Sequence, residues 1–337
     1  MEKFCSNIAI FLIVAFGNAI HATAGDPDIL KDFLVLPSSD PSTITRQYFT
    51  FTGFRPLRHA NLTGKTTALV TKATMKEFPA LEGQGVSVSA IIYPPSGMNL
   101  PHVHPKTSEL LIVLLGSLEV GFVDTTNKLF TQTLQAPDMF IVPKGLVHFQ
   151  VNTKTDSPSI ALGVFGSVNA GTVSLPRDPD IVKDFLIPTS LDPSNITSQF
   201  FTYTGFRELV NVNITGKTAA VVTKASMKEF PALEGQGVSV AALIYPPSGI
   251  NPPHAHPRAA ELLIVIQGVL EVGFVDSTNK LFTQTLQVPE MFIPKGLVHF
   301  QVNTRSDSPV YVLGMFGSAN AGTVSLPSTL FASGISA

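Results

Sequence analysis

The stretch PHVHPKTSELLIV, residues 101–113, places two histidines one residue apart and follows them with a glutamate and an apolar run. Residues 253–265 read PHAHPRAAELLIV and keep the same spacing. Alternate residues of a β-strand point to one face of a sheet, so a His-x-His pair presents both imidazoles on one side. Glu109 follows His104 by five residues. We therefore expect residues 105–108 to form a turn that brings the carboxylate to that side.

A third histidine is expected to join each pair. In PKGLVHFQVN, residues 143–152, strand periodicity places His148 on the face opposite to its apolar neighbours, and His299 repeats this arrangement. If this run lies beside the His-x-His run in one sheet, three imidazoles and one carboxylate converge. Such a group of side chains is a metal site of the N₃O type.

The alternative is that these histidines merely lie in a core or at the surface. Six of the eight histidines in the chain fall into the two sets, however. Polar side chains that converge inside an apolar sheet cost free energy unless a partner such as a cation pairs with them. The pattern therefore favours two metal sites. The candidate ligands are His102, His104, Glu109 and His148 in the first half and His254, His256, Glu261 and His299 in the second.

The N-terminus has the pattern of a secretory signal peptide. Lys3 precedes the apolar run IAIFLIVAF at residues 8–16, and the small residues Ala22-Thr23-Ala24 follow. The run is too short to cross a membrane as a helix, which needs about 20 residues. We predict a signal peptide over residues 1–24, rather than an N-terminal core helix, and export of the mature protein to the extracellular space.

Composition narrows the possible partners and modifications. The chain has 337 residues, 44% hydrophobic and 14% charged, with a formal net charge of -2. No basic block interleaves with aromatic residues, so a nucleic acid is not an expected partner. No later segment is apolar and long enough to predict a membrane span. The single cysteine, Cys5, lies in the predicted signal peptide, and glycosylation sequons begin at Asn61, Asn195 and Asn213.

The chain contains two copies of one sequence module. KEFPALEGQGVSV at residues 76–88 returns unchanged at 228–240, and KLFTQTLQ at 128–135 returns at 280–287. The period of about 150 residues is that of whole domains and not of a solenoid. We place the boundary at residues 176/177, which predicts domain 1 at residues 25–176 and domain 2 at residues 177–337.

Each module is predicted to be all-β and antiparallel. Six runs of the first copy are short, rich in β-branched and apolar residues, and separated by Pro, Gly, Asn or Asp. They are GVSVSAIIY, ELLIVLLG, LEVGFVD, KLFTQTLQ, MFIVP and VHFQV. The segments from Asp124 to Asn127 and from Asp276 to Asn279 are expected to be hairpin loops. No long stretch has helical periodicity, so the pattern favours an antiparallel sandwich or a jelly-roll barrel.

The spacing of these residues resembles the two motifs of plant germin-like proteins of the cupin superfamily. The first motif comprises Gly97, His102, His104, Glu109 and Gly116, and the second comprises Pro143, Gly145, His148 and Asn152. Both recur in the second half, as Gly249, His254, His256, Glu261 and Gly268 and as Pro294, Gly296, His299 and Asn303. The resemblance covers nearly all of residues 26–327. It implies two cupin jelly-roll β-barrels in tandem, a bicupin, each with one Mn²⁺ on those three histidines and the glutamate.

The sequence also departs from the germin pattern. Germins usually carry an N-terminal cysteine pair and C-terminal helices that clasp neighbouring subunits, and neither is evident here. The resemblance still implies a homo-oligomer, in which two fused modules take the place of one dimer. Oxalate oxidase germins position their substrate with two asparagines. Asn99 and Asn251 match the first of these, but Ser89 and Ala241 stand at the second position.

The expected function follows from these residues and from the resemblance. The leading hypothesis is a manganese-binding protein of the apoplast and cell wall with superoxide dismutase activity, which would produce hydrogen peroxide in defence. Oxalate oxidase is an alternative that the missing second asparagine weakens. A non-catalytic storage, receptor or wall protein stabilised by its metal is the third. The expected substrate is a small molecule, superoxide or a small carboxylate, and the ligand set alone does not select Mn²⁺ over Cu²⁺, Ni²⁺ or Zn²⁺.

Overall fold

The computed structural model describes residues 44–172, 196–292 and 297–326, which belong to one compact unit, Lys31–Ala337. Several sequence predictions fall outside these ranges and stay predictions. They are the signal peptide at residues 1–24, the domain boundary at 176/177, the sequon at Asn195, and Pro294 and Gly296 of the repeated second motif.

The described part of the chain is built from short antiparallel strands, as predicted. The strands of the first half are β1 (Thr50–Phe51), β2 (Leu69–Ala73), β3 (Ser87–Tyr93), β4 (Met98–His102), β5 (Glu109–Leu115), β6 (Ser117–Val123), β7 (Leu129–Gln135), β8 (Met139–Val142), β9 (Val147–Val151) and β10 (Ser159–Phe165). Those of the second half are β11 (Thr202–Tyr203), β12 (Val221–Ala225), β13 (Ser239–Tyr245), β14 (Ile250–Ala255), β15 (Glu261–Gln267), β16 (Val269–Val275), β17 (Leu281–Gln287), β18 (Met291–Phe292), β19 (Val298–Val302), β20 (Val310–Phe316) and β21 (Val324–Ser325).

The helical elements whose bounds lie within the described ranges are short 3₁₀ turns. They span Arg46–Phe49, Arg55–His59, Pro79–Leu81, Ser198–Phe201, Gly205–Asn211 and Pro231–Leu233. No helix in these ranges is long and apolar enough to span a lipid bilayer.

Each half forms two antiparallel sheets. In the first half the strand orders are β11-β8-β5-β10-β3-β2 and β4-β9-β6-β7. In the second they are β1-β18-β15-β20-β13-β12 and β17-β16-β19-β14-β21. These double sheets are those of a jelly-roll, which confirms the predicted all-β fold with two modules in tandem.

All six strand predictions of the first copy are confirmed. Strands β3 and β5 carry buried residues along all or most of their length, as their continuous apolar runs require. Strand β9 alternates instead: His148 and Gln150 are buried, whereas the residues between and beside them are half-buried. The predicted hairpin loop is also present, since Asp124 Oδ1 accepts hydrogen bonds from the backbone N–H groups of Thr126 and Lys128 at 2.9 and 2.8 Å.

The two halves exchange their first strands. Strand β1 of the first half pairs with β18 of the second, and β11 of the second half pairs with β8 of the first. An aromatic side chain beside each strand enters the other half's core. The ring centroid of Phe49 lies 4.9 Å from that of Phe274, and that of Phe201 lies 4.9 Å from that of Phe122.

Two ion pairs accompany this exchange. The Arg207 guanidinium donates to the Asp138 carboxylate, with Nε 2.6 Å from Oδ1, and Arg55 pairs with Glu290 in the symmetric position. Both carboxylates are buried and both arginines are about half exposed. Because each buried acid takes its partner from the other half, the two modules depend on each other for charge compensation.

Candidate metal centres

The sheet register brings the predicted histidines together. Strand β4 ends at His102, and β9 places His148 directly opposite it. The His-x-His stretch is not one continuous strand, since His104 lies just after β4 ends. A turn then runs through residues 105–107, and Glu109 opens β5, as the predicted change of direction requires.

All four candidate ligands of each half are buried in one cluster. One ligand atom from each of the four side chains lies within 4.8 Å of the others, in both halves. In the first cluster, Nε2 of His148 and of His104 lie 3.0 and 3.4 Å from Glu109 Oε2. In the second, Nε2 of His299 and of His256 lie 3.0 and 3.6 Å from Glu261 Oε2. The geometry of the two clusters is therefore nearly the same.

The Nδ1 atom of each imidazole is hydrogen-bonded to a backbone carbonyl, on the side of the ring away from the cluster centre. In the first cluster, Nδ1 of His102, His104 and His148 lies 2.8, 2.6 and 2.9 Å from a carbonyl oxygen. Those carbonyls belong to Leu100, Gly171 and Leu146, and Pro252, Gly322 and Leu297 do the same in the second cluster. A carbonyl only accepts, so Nδ1 carries the ring proton. Nε2 of the neutral ring then turns a lone pair toward the centre of the cluster.

Not every Nε2 lone pair of these histidines has a hydrogen-bond partner among the described residues. Within the described part of the chain, Nε2 of His256 is buried and has no hydrogen-bond partner. Three Nε2 lone pairs around one carboxylate repel one another unless protons or a cation lie between them. The donor set therefore fits a divalent cation better than it fits a self-contained hydrogen-bond network.

The electrostatics favour the metal-binding forms of His102 and Glu109. Burial, reinforced by repulsion from the neighbouring imidazole of His148, lowers the pKa of His102 to about 4, and burial with the imidazole of His299 lowers the pKa of His254 to about 3. Burial works to raise the pKa of Glu109, but the imidazoles of His104 and His148, which hydrogen-bond to it when they are protonated, lower it well below its usual range. At neutral pH the cluster thus offers neutral His102 and an ionised carboxylate, the forms that bind metal.

Glycine on a neighbouring strand provides the room for each carboxylate. A Cβ at Gly163, on β10, would overlap Glu109 Oε1, and a Cβ at Gly314 would overlap Glu261 Oε1. The sequence analysis did not identify these glycines as part of the sites. A lone glycine inside an apolar strand often marks such a close approach, and that signal was present in SIALGVF.

Replacing Gly163 by alanine should therefore empty the first site selectively. The new methyl group pushes the Glu109 carboxylate out of place, and we expect metal affinity there to fall about 10- to 100-fold. Elemental analysis of purified protein should show metal per chain falling from two toward one. Gly314→Ala is the matched control, because it should spare the first site and empty the second. Full metal content in both variants, with circular dichroism unchanged, would contradict this role.

The substrate-pocket candidates differ between the halves. Asn99 is half-buried, and its Nδ2 donates to Gln150 Oε1 at 2.9 Å. Asn251 Nδ2 lies 3.5 Å from His254 Nε2. Asn251 thus faces its cluster of candidate ligands, whereas the amide of Asn99 is hydrogen-bonded to Gln150. The sequence analysis did not identify Gln150 as part of the site.

A cavity of about 210 Å³ lies over the second cluster. Its lining includes His254, His256 and Glu261 together with Asn251, Ala241 and Lys224. The cavity therefore reaches the candidate ligands. Ala241, which stands where oxalate oxidase germins have their second asparagine, forms part of its wall and offers no side-chain hydrogen bond.

The glycosylation candidates in the described ranges lie at the surface. Asn61 and Asn213 are exposed, and the Oδ1 of each accepts a hydrogen bond from the backbone N–H two residues on, at 3.0 and 2.9 Å. Their exposure is compatible with a glycan, which stays a prediction.

Comparison with known proteins places the chain in a family. Residues 54–201 and 210–336 match the family described as Cupin. The chain is 52% identical over 166 residues to putative germin-like protein 9-2 of Oryza sativa subsp. japonica, which covers 49% of this chain and 77% of that protein. It is 42% identical over 167 residues to germin-like protein subfamily 2 member 2 of Arabidopsis thaliana, covering 46% of this chain and 75% of that protein.

Solved structures show the same fold over both halves. An oxalate decarboxylase of Lactobacillus farciminis aligns with a TM-score of 0.66 at 19% identity, covering 84% of this chain and 90% of that chain. Oxalate decarboxylase of Bacillus subtilis aligns with a TM-score of 0.66 at 18% identity, covering 87% and 82%. The fold, the two clusters and the family match together define a two-module cupin. Within that family the chain belongs to the germin-like proteins, and carries two cupin modules in one polypeptide.

Proposed function

We propose that this chain is an exported, manganese-binding protein of the apoplast and cell wall that dismutes superoxide to hydrogen peroxide and oxygen. The observation that carries the proposal is the convergence, in each half, of three imidazoles and one carboxylate within 4.8 Å. The secretory part rests on the N-terminal sequence alone. The choice of manganese rests on the resemblance to germins, because the donor set would also accept other divalent cations.

The chain's own residues prepare a site for such a metal. His102, His104, Glu109 and His148 would hold it in the first half, and the four equivalent residues would hold it in the second. Backbone carbonyls orient each ring, and Phe165 packs against His104 with ring centroids 4.8 Å apart. Manganese bound there would supply a reversible one-electron change and open coordination positions.

Superoxide suits this site because the molecule is small and needs little recognition beyond charge. Oxalate is a larger dianion, and a site for it needs several polar partners. Ser89 and Ala241 do not provide the second amide that the oxalate oxidase pattern requires. We therefore rank dismutation above oxalate oxidation.

The test combines metal analysis and two activity assays on one preparation of the secreted protein. We expect about two manganese ions per chain and dismutation that disappears on chelation and returns with Mn²⁺. Replacing His148 and His299 together by alanine should abolish both metal and activity. His59→Ala is the matched control, since His59 is exposed and lies outside both clusters.

Two results would overturn the proposal. Rapid oxalate oxidation without dismutation would identify an oxalate oxidase instead. A protein with full metal content and no activity on either substrate would support the non-catalytic alternative.

A further inference from the structure

A lysine stands directly across the sheet from each position where the second amide is missing. In the antiparallel pair β12–β13, Lys224 is opposite Ala241, and in β2–β3 Lys72 is opposite Ser89. Directly opposite residues of an antiparallel pair share one face of the sheet. In the second half that face is the cavity wall, because Lys224 and Ala241 both line the cavity over the candidate metal site.

Each lysine is also tied to the segment that orients a candidate ligand. Lys224 Nζ lies 3.3 Å from Thr323 Oγ1, and the preceding residue, Gly322, accepts the hydrogen bond of His256 Nδ1 at 2.5 Å. The first half repeats this arrangement, with Lys72 Nζ 3.3 Å from Thr172 Oγ1 and Gly171 bonded to His104. The ammonium groups are thus held at the rims of the two sites.

The Lys224 ammonium lacks a carboxylate partner in the described part of the chain. Lys224 is exposed, and within the described ranges its Nζ bonds to the Thr323 hydroxyl and not to a carboxylate. The carboxylate of Glu229, five residues along the chain, accepts hydrogen bonds from the hydroxyl and N–H of Ser226 at 2.5 and 3.1 Å.

A second cation, Arg258, is bonded to a residue that lines the second cavity. Arg258 donates from Nε and Nη2 to the backbone and side-chain oxygens of Asn320, at 2.7 and 2.8 Å, and Asn320 lines the cavity. The first half has Lys106 at the matching position. Positive charge around a cavity raises the local concentration of small anions.

We propose that Lys224, and Lys72 as its counterpart, are the anion-recognition residues of the two sites. Each ammonium takes the place of the missing amide and holds a small anion between the strand wall and the open side of the metal cluster. In the second site the Asn251 amide approaches the same space from the other wall. The inference rests on the proposed function to the extent that it requires a metal in the site, but it does not require that superoxide be the substrate.

The test uses the full chain loaded with Mn²⁺ in a His148→Ala background, so that only the second site carries metal. Azide, a small monoanion, and oxalate, a dicarboxylate, are titrated separately, and binding is followed by the electron paramagnetic resonance spectrum of the bound Mn²⁺. Lys224→Met should weaken anion binding about three- to tenfold without changing metal content. Lys224→Arg should restore most of it. Lys228→Met is the matched control, because Lys228 is exposed and does not line the cavity.

The outcomes separate this inference from the proposed function. Equal anion affinity in Lys224→Met and its parent, or no binding of either anion by the parent, would overturn the inference while dismutation by the unmodified chain could still stand. Weakened anion binding in a chain that does not dismute superoxide would support the inference and remove the proposed function. A parent that takes up no manganese would remove both. Tighter binding of azide than of oxalate would support a superoxide-sized ligand, and the reverse would support a small carboxylate.

Discussion

Replacing Glu109 by glutamine is expected to leave the chain with one metal ion instead of two. Glu109 is buried, its Oε2 lies 3.0 and 3.4 Å from two imidazole Nε2 atoms, and it is the only anionic group in its cluster. Glutamine keeps the size of the side chain but supplies no negative charge. Changes in residues that merely orient ligands already cost about 10- to 100-fold in metal affinity, so loss of the charged ligand should cost more than about 100-fold.

The measurement is metal content after dialysis against a weak chelator, with dismutase activity on the same samples. Glu261→Gln is the internal control, and it should empty only the second site. The double variant should retain no metal and no activity. If Glu109→Gln still binds two ions, the carboxylate is not a ligand, and the buried cluster needs another explanation.

Phe201 belongs to the second half of the chain, but its replacement by alanine is expected to destabilise the first half. Phe201 is fully buried and its ring lies 4.9 Å from that of Phe122 and 5.2 Å from that of Phe130. Phe→Ala changes in cores cost about 3–5 kcal/mol because transfer and cavity terms add. The free energy of unfolding, measured with urea on metal-free protein, should fall by about this amount.

Phe200 provides a matched control for this experiment. It is the adjacent residue but is only half-buried. Phe200→Ala should therefore cost clearly less. Equal and small effects of the two changes would show that the exchanged segment contributes little to the core of the first half, contrary to the strand pairing of β11 with β8.

Much of the site was predictable because it depends on local spacing. The His-x-His pair, the turn before Glu109 and the alternation around His148 fix which way the side chains point. Their convergence needed one further assumption, that the runs carrying His102 and His148 are neighbours, and the register of β4 with β9 bears this out.

Other features depend on pairings that the sequence does not specify. The repeats are so similar that a strand such as β1 fits its own module and the other equally well on pattern alone, so the exchange of β1 and β11 was not predicted. Lys224 can be identified as a candidate anion-binding residue only from the register that places it opposite Ala241. Gly163 is important for the site only because its backbone lies against the Glu109 carboxylate across the sheet, where a Cβ would overlap Oε1.

The most direct test of the account is a crystal of the manganese-loaded chain measured at the manganese absorption edge. We predict two anomalous difference peaks per chain, each within bonding distance of three histidine Nε2 atoms and one glutamate oxygen, at His102, His104, Glu109 and His148 and at His254, His256, Glu261 and His299. Peaks at other residues, or fully loaded protein with no peak at either cluster, would contradict it.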